Sequence, residues 1–142
     1  MAETEKPDVY GHINALIIDD DRSMLTLVAS VLHSLGINRI TSFSNPRSAV
    51  DVIETAPNTF DLIVCDWSMP DVTGDEILKR VRQDNSTVAF IMLTANVMSD
   101  AVKEARDLGV DAYVAKPFRT DDLQAKIRTV LAKRGTKLKS AK

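Results

Sequence analysis

Phe60-Asp61-Leu62-Ile63-Val64-Cys65-Asp66-Trp67-Ser68-Met69-Pro70 carries the pattern that decides the fold. Residues 62–65 are apolar without a break, and the chain then passes to an aspartate, an aromatic and a proline-marked turn. A short run with no polar alternation predicts a strand covered on both faces, the habit of parallel sheets flanked by helices. Runs of the same kind occur at Ile13–Asp19, Arg39–Phe43, Val88–Leu93 and Val110–Ala115, which with Phe60–Cys65 makes five predicted strands.

Helical patterns fill the intervals. Met24, Leu25, Val28, Val31, Leu32 and Leu35 form one apolar stripe, and Gly36 stands where a helix commonly ends in a left-handed residue. Asn45-Pro46 reads as an N-cap followed by the first helical position, leading into Ala49, Val50, Val52 and Ile53. Ile77, Leu78 and Val81 mark a third helix, and Ala101, Val102, Ala105 and Leu108, closed by Gly109, a fourth. The fifth is expected to be capped by Thr120, with Asp121 and Asp122 at its positive end and Lys133 and Arg134 at its negative end. Strands alternating with helices imply an α/β, doubly wound parallel sheet with helices on both faces. Alternation leaves the strand order open. It does say where a site belongs, because such sheets bind ligands beyond the carboxyl ends of their strands.

The chain has 142 residues, with 18 Lys and Arg against 20 Asp and Glu, which predicts one domain. We expect it over residues 13–134, with an N-terminal tail of 1–12 and a basic C-terminal tail of 135–142. Residues 1–132 carry 13 basic against 20 acidic groups, a net of −7, which argues against a nucleic-acid partner. The longest apolar run, Val88–Leu93, is six residues, against the roughly 20 a membrane span needs. No signal peptide is evident in Met1–Lys6, and the lone Cys65 can form no internal disulfide. A cytoplasmic protein is expected.

The strand ends bring chemistry together. The first strand runs into Asp19-Asp20-Asp21, the third into Asp66, the fourth into Thr94 and the fifth into Lys116-Pro117. Two carboxylates about 4 Å apart repel by roughly 4 kcal/mol at an effective dielectric near 20, so three in one crevice call for a cation. Hard oxygen donors suit Mg²⁺, and a lysine and a threonine hydroxyl beside them suit a phosphoryl group.

Four motifs, each at a predicted strand end, resemble the response-regulator receiver domains of two-component signalling. They are Ile18-Asp19-Asp20, Asp66-Trp67-Ser68-Met69-Pro70 with Gly74 eight residues past the aspartate, Thr94-Ala95, and Lys116-Pro117-Phe118. The resemblance implies a flavodoxin-like (βα)5 fold with sheet order 2-1-3-4-5. It also implies that Asp66 accepts the phosphoryl group from a histidine kinase, with Mg²⁺ held by Asp20, Asp66 and the backbone carbonyl of Ser68. Asp19 would act on the metal mainly through water. Lys116 would pair with Asp66 and then with the phosphoryl group, Thr94 would bind another phosphoryl oxygen, and Tyr113 would be the aromatic switch. Ser68 and Asn96 occupy the family positions that tune dephosphorylation. The implied partners are the kinase, a phosphatase, and a target protein docking on the fourth helix, fifth strand and fifth helix near Lys103, Arg106, Tyr113, Arg119 and Lys126. With no module after residue 142, the expected product is a stand-alone switch rather than an enzyme, with a chemotaxis or motor-type output; a phosphorelay shuttle to a histidine phosphotransfer protein is the alternative.

Other readings of the residues are weaker. An aspartyl-phosphate phosphatase of the haloacid-dehalogenase type would need a second aspartate where Ser68 stands, a nuclease would need a basic groove, and no GxxxxGK[ST] loop is present. Asp21 reads as a helix N-terminal acid, Trp67 and Phe118 as packing at a loop edge, Cys65 as a small core residue, and His33 as a histidine without a function.

Overall fold

The computed structural model describes residues 10–56, 58–84, 87–95 and 109–133. Five parallel strands form one sheet in the order β2-β1-β3-β4-β5: β1 Asn14–Ile18, β2 Arg39–Phe43, β3 Leu62–Asp66, β4 Ala89–Thr94 and β5 Ala112–Ala115. The described helices are α1 Arg22–Ser34, α2 Pro46–Thr55, α3 Gly74–Asp84 and α4 Thr120–Lys133. The helix predicted around Ala101–Leu108 lies outside the described residues.

The inner strands explain their composition. β3 and β4 are buried at every position, so neither face offers a place for a polar residue until the strand ends. Alternate residues feed two cores. Ala15, Ile17, Val64, Ile91 and Leu93 pack with Val28 and Leu32 of α1 and Leu123 and Ile127 of α4. Leu16, Ile18, Ile63, Cys65, Phe90 and Met92 face the other way, against Ala49 and Ile53 of α2 and Ile77 and Leu78 of α3. Each fully buried Leu, Ile or Phe contributes about 1.5–3 kcal/mol, so the backbone of β1, β3 and β4 is the rigid part of the molecule.

The helix ends follow local chemistry. Asp21 caps α1, its carboxylate accepting from the Ser23 N–H at 2.9 Å, so the third acid of the triplet is a cap. Gly36, at φ +89°, lets the Ile37 N–H return to the Leu32 carbonyl at 3.0 Å, with both side chains buried in one core. Asn45 caps α2 with Pro46 at its start. At the start of α3 the Thr73 N–H donates to the Glu76 carboxylate at 2.9 Å, which is one half of a capping box, and the Thr73 carbonyl accepts from Ile77. α4 differs by one residue from expectation. Thr120 is the first helical residue, and the Arg119 carbonyl takes the Leu123 N–H at 3.2 Å.

At the amino edge of the sheet, aspartates finish the hydrogen bonding. Asp61 accepts from the Asn14 N–H at 2.9 Å and Asp111 from the Phe90 N–H at 2.8 Å. The half-buried Arg82 guanidinium reaches the carbonyls of Val88 and Gly109 as well as Asp111. Among the described residues no helix is long and apolar enough to cross a membrane.

One close approach fixes the loop after β3. A Cβ on Gly74 would lie 2.5 Å from the Asp66 carbonyl oxygen and 2.7 Å from Met92 Sδ, and the nearer of these atoms belongs to backbone. Gly74→Ala should therefore lower stability by about 1–3 kcal/mol, the usual cost of overpacking, measured by urea denaturation. An unchanged midpoint would show that the loop gives way freely.

Candidate functional site

The register of the sheet builds the site. Ile18 pairs with Cys65 and Asp66 with Leu93, so Asp19, Asp66 and Thr94 emerge side by side at the carboxyl edge. Thr94 pairs with Ala115, which brings Lys116 to the same edge from β5; its peptide bond to Pro117 is cis. Asp19, Asp66 and Thr94 are the buried polar and charged residues of the described chain, whereas Asp20 is exposed. The carboxylates of Asp19, Asp20 and Asp66 each offer an oxygen within 4.8 Å of the others.

Lys116 answers part of this charge. Its Nζ donates to Asp66 Oδ1 at 3.0 Å and to Asp19 Oδ2 at 3.2 Å. The other Asp19 oxygen accepts from the Asp21 N–H at 2.9 Å. Burial pushes the Asp19 carboxyl above its ordinary value, against the Asp21 N–H and the nearby ammonium, which favour the charged form. Asp66 is likewise raised, first by burial and then by the field of Asp19, with the Lys116 hydrogen bond opposing. Burial disfavours the Lys116 charge, but its bond to Asp66 and the field of both carboxylates outweigh that and raise its pKa. The pattern is that of crowded acids that one ammonium neutralises only in part.

The donor set fits Mg²⁺. Three hard carboxylate oxygens stand close together, one buried group is already tied to the protein, and exposed Asp20 leaves room for the water ligands that Mg²⁺ keeps.

The structure thus brings together Asp19, Asp20, Asp66 and Lys116 by direct contact or proximity, with Thr94 on the adjoining strand end. Ser68 lies exposed in the loop after Asp66, and Tyr113 is half-buried on β5 against the core shared with α2 and α3. Trp67 and Phe118 pack at the edges of the two cores, as expected. Cys65 is fully buried, its thiol donating to the Asp66 carbonyl at 3.2 Å. His33 Nδ1 lies 3.0 Å from Asn38 Oδ1 on the surface, away from this edge. Asn96, Lys103 and Arg106 lie outside the described residues. An ion pair at the same edge, Arg47 with Asp71, has no sign in the sequence; only the Pro70-Asp71 step hinted at a turn.

A family model described as the response regulator receiver domain matches residues 15–128, and the chain belongs to that family. The chemotaxis protein CheY of Pseudomonas aeruginosa is 32% identical over 117 residues, covering 81% of this chain and 93% of that protein. Among solved structures, a CheY-like receiver domain protein of Methanospirillum hungatei superposes with a TM-score of 0.79 at 26% identity, covering 88% of this chain and 98% of that one. Vibrio cholerae CheY4 gives 0.73 at 28% identity, covering 84% and 98%. Receiver domains are signalling switches that interact with histidine kinases and downstream targets, and the family binds Mg²⁺ at an acidic site.

The crowding has a measurable consequence. Because Asp66 is raised above its ordinary 3.8, the folded protein holds that proton to higher pH than the unfolded chain. Its carboxylate therefore contributes a destabilisation that is absent well below pH 3.8, grows through the raised folded value, and is complete above it. Without metal, Asp66→Asn should raise the melting temperature at neutral pH and lose that advantage in acid, whereas Lys116→Ala should lower it. Mg²⁺ at a hundredfold excess over its dissociation constant should stabilise wild type by about 2.7 kcal/mol, and Asp66→Asn by less. Thermal melts of the three proteins with and without millimolar Mg²⁺ test this. An Asp66→Asn protein that melts lower than wild type without metal and responds equally to Mg²⁺ would show that these carboxylates form no common site.

Proposed function

We propose that this receiver domain takes a phosphoryl group onto Asp66 from the phosphohistidine of a kinase and then changes its affinity for a separate protein. The observation that carries the reading is the convergence of Asp19, Asp20 and Asp66 on one point with Lys116 Nζ 3.0 Å from Asp66. Of the three acids, Asp66 is the one suited to be nucleophile. Both Asp19 oxygens are engaged, one by the Asp21 N–H and one by Lys116, and Asp20 is exposed on the loop beyond β1. Asp66 ends the central strand, with Asp19 on one side and Thr94 on the other.

An Asp66 carboxylate oxygen attacks phosphorus in line. The new O–P bond forms as the P–N bond to the donor histidine breaks, the electron pair returns to the ring nitrogen, and the product is an acyl phosphate. Bound Mg²⁺ supplies positive charge against the phosphoryl oxygens. Asp20, Asp66 and the Ser68 carbonyl would hold the metal, and Asp19 would act on it mainly through water while positioning Lys116. Lys116 exchanges its bond to Asp66 for one to a phosphoryl oxygen, and the Thr94 hydroxyl donates to another. Dephosphorylation is self-catalysed, with Ser68 and Asn96 as the residues that tune its rate. Domain 13–134 is the working unit, in the cytoplasm.

For output we favour a chemotaxis or motor-type target. The support is the similarity to the Pseudomonas CheY over 93% of that protein, together with an exposed surface on β5 and α4. There Tyr113, Lys126 and Thr129 border a shallow groove of about 270 Å³, with Arg119 exposed nearby. Tyr113 is the switch on that surface.

Incubation with acetyl phosphate and Mg²⁺ followed by peptide mapping should place the modification on Asp66 alone and abolish it in Asp66→Ala. Labelling at Asp19 or Asp20, or undiminished labelling of the variant, overturns the assignment. Thr94→Ala removes one charge-assisted hydrogen bond, worth about 1.5–3 kcal/mol, which is comparable to a whole coupling energy of about 1–3 kcal/mol. That variant should still take up phosphate yet gain little affinity for its target; a wild-type gain, measured by titration of phosphorylated protein against the partner, contradicts the role.

A further inference from the structure

Among the described residues Asp71 is the one non-glycine with positive φ, at +79°, a region most side chains avoid. The Val72 N–H donates to the Pro70 carbonyl at 2.9 Å, so Asp71 sits at the centre of a three-residue turn of the rare, strained, positive-φ form. Such a conformation persists only where its surroundings over-determine it, and it clusters at functional sites. Two ties do so here. At the neck of the loop the Gly74 N–H donates to the Trp67 carbonyl at 2.8 Å. At the tip the Arg47 guanidinium forks onto Asp71, Nε to Oδ2 at 2.7 Å and Nη2 to Oδ1 at 3.2 Å. Arg47 is itself anchored, because its N–H donates to the capping Asn45 side chain at 2.9 Å. Ser68 lies between the two ties.

We infer that Arg47 is a positioning residue: through its two-pronged pair with Asp71 it holds the loop 67–74 in one shape, and with it the Ser68 carbonyl that the proposed function assigns to Mg²⁺. This rests on the functional reading above and adds to it a link from α2. The planar fork matters, since an ammonium cannot satisfy both carboxylate oxygens in one fixed geometry. With the pair broken, the strained turn can relax toward negative φ and carry the Ser68 peptide with it. Both side chains are exposed, at 66% and 55%, so the pair adds little to global stability. Its effect is confined to the loop.

The test uses the full chain as wild type, Arg47→Ala, Arg47→Lys, Asp71→Gly and the Arg47→Ala/Asp71→Gly double variant. Trp67, the single tryptophan and the neighbour of Asp66, reports Mg²⁺ binding by fluorescence. Acetyl phosphate labelling gives the rate against Mg²⁺ concentration, and metal-free melts give stability. Arg47→Ala should weaken Mg²⁺ by up to about fivefold, the upper range for an exposed ion pair. Its labelling rate should be slow at low Mg²⁺ and return to the wild-type plateau at saturation, with the metal-free melt unchanged. Arg47→Lys should fall between the two, and the double variant should match Asp71→Gly alone. An unshifted Mg²⁺ curve for Arg47→Ala, strict additivity in the double variant, or a loss explained by a lower metal-free melt each overturns the positioning role. In all three cases a wild type that binds Mg²⁺ and is labelled on Asp66 leaves the functional reading standing; a wild type that does neither overturns both.

Discussion

The active edge depends on one constraint: three carboxylates held near one point with one ammonium between two of them. At a separation of about 4 Å each pair of acids costs roughly 4 kcal/mol at an effective dielectric near 20. Left to itself a chain would swing them apart. It cannot here, because Asp19 follows directly on β1 and Asp66 is the last residue of β3, strands packed on both faces whose register is set by two separate cores. Moving either acid away means shifting a strand, which would expose several side chains each worth about 1.5–3 kcal/mol. The packed sheet therefore enforces the crowding, and Lys116, bonded to both buried acids, makes it tolerable.

The two edges of the sheet use the same residue type in opposite ways. At the amino edge the carboxylates of Asp61 and Asp111 face backbone N–H groups and finish the hydrogen bonding of the neighbouring strands. Arg82 adds a guanidinium shared between Asp111 and two carbonyls. At the carboxyl edge Asp19 and Asp66 face each other, and burial holds both above the ordinary carboxylate range. Unrelieved charge is thus concentrated at one end of the molecule. Departures from local consistency of this kind mark functional sites, and crowded carboxylates of this kind favour a cation.

Most of the fold was legible because burial on both faces leaves a continuous apolar run, and a helix stripe leaves its 3.6-residue period. Gly36 and Asn45-Pro46 announced their turns by residue type alone. The site was legible for the same reason, since its residues stand where the apolar runs stop. The strand order was not readable from periodicity; it came from the resemblance, and the observed sheet agrees with it. The bond from the Thr73 N–H back to Glu76 was written in Thr73-Gly74-Asp75-Glu76 and passed over, its cue submerged in the stronger aspartate motif upstream. Arg47 and Asp71 stand 24 residues apart, and nothing local binds them. Their meeting depends on where α2 docks, which no short window of sequence encodes.

How a change at Asp66 reaches the far strand follows from the bonds just past the sheet ladders. The Trp67 N–H donates to the Leu93 carbonyl at 2.9 Å, and the Lys116 N–H donates to the Thr94 carbonyl at 2.7 Å. The backbone after each strand is therefore stitched to the strand beside it, in the order β3, β4, β5. Met92, whose sulfur lies against Gly74, pairs in register with Tyr113. The loop after Asp66 thus touches β4 twice, through backbone and through side chain. A rigid ladder does not transmit a local push by bending; packed interiors shift between discrete arrangements. A change at this edge therefore falls first on the groups at its rim, namely the Lys116 ammonium, the Thr94 hydroxyl and the half-buried Tyr113 ring, rather than on the strands.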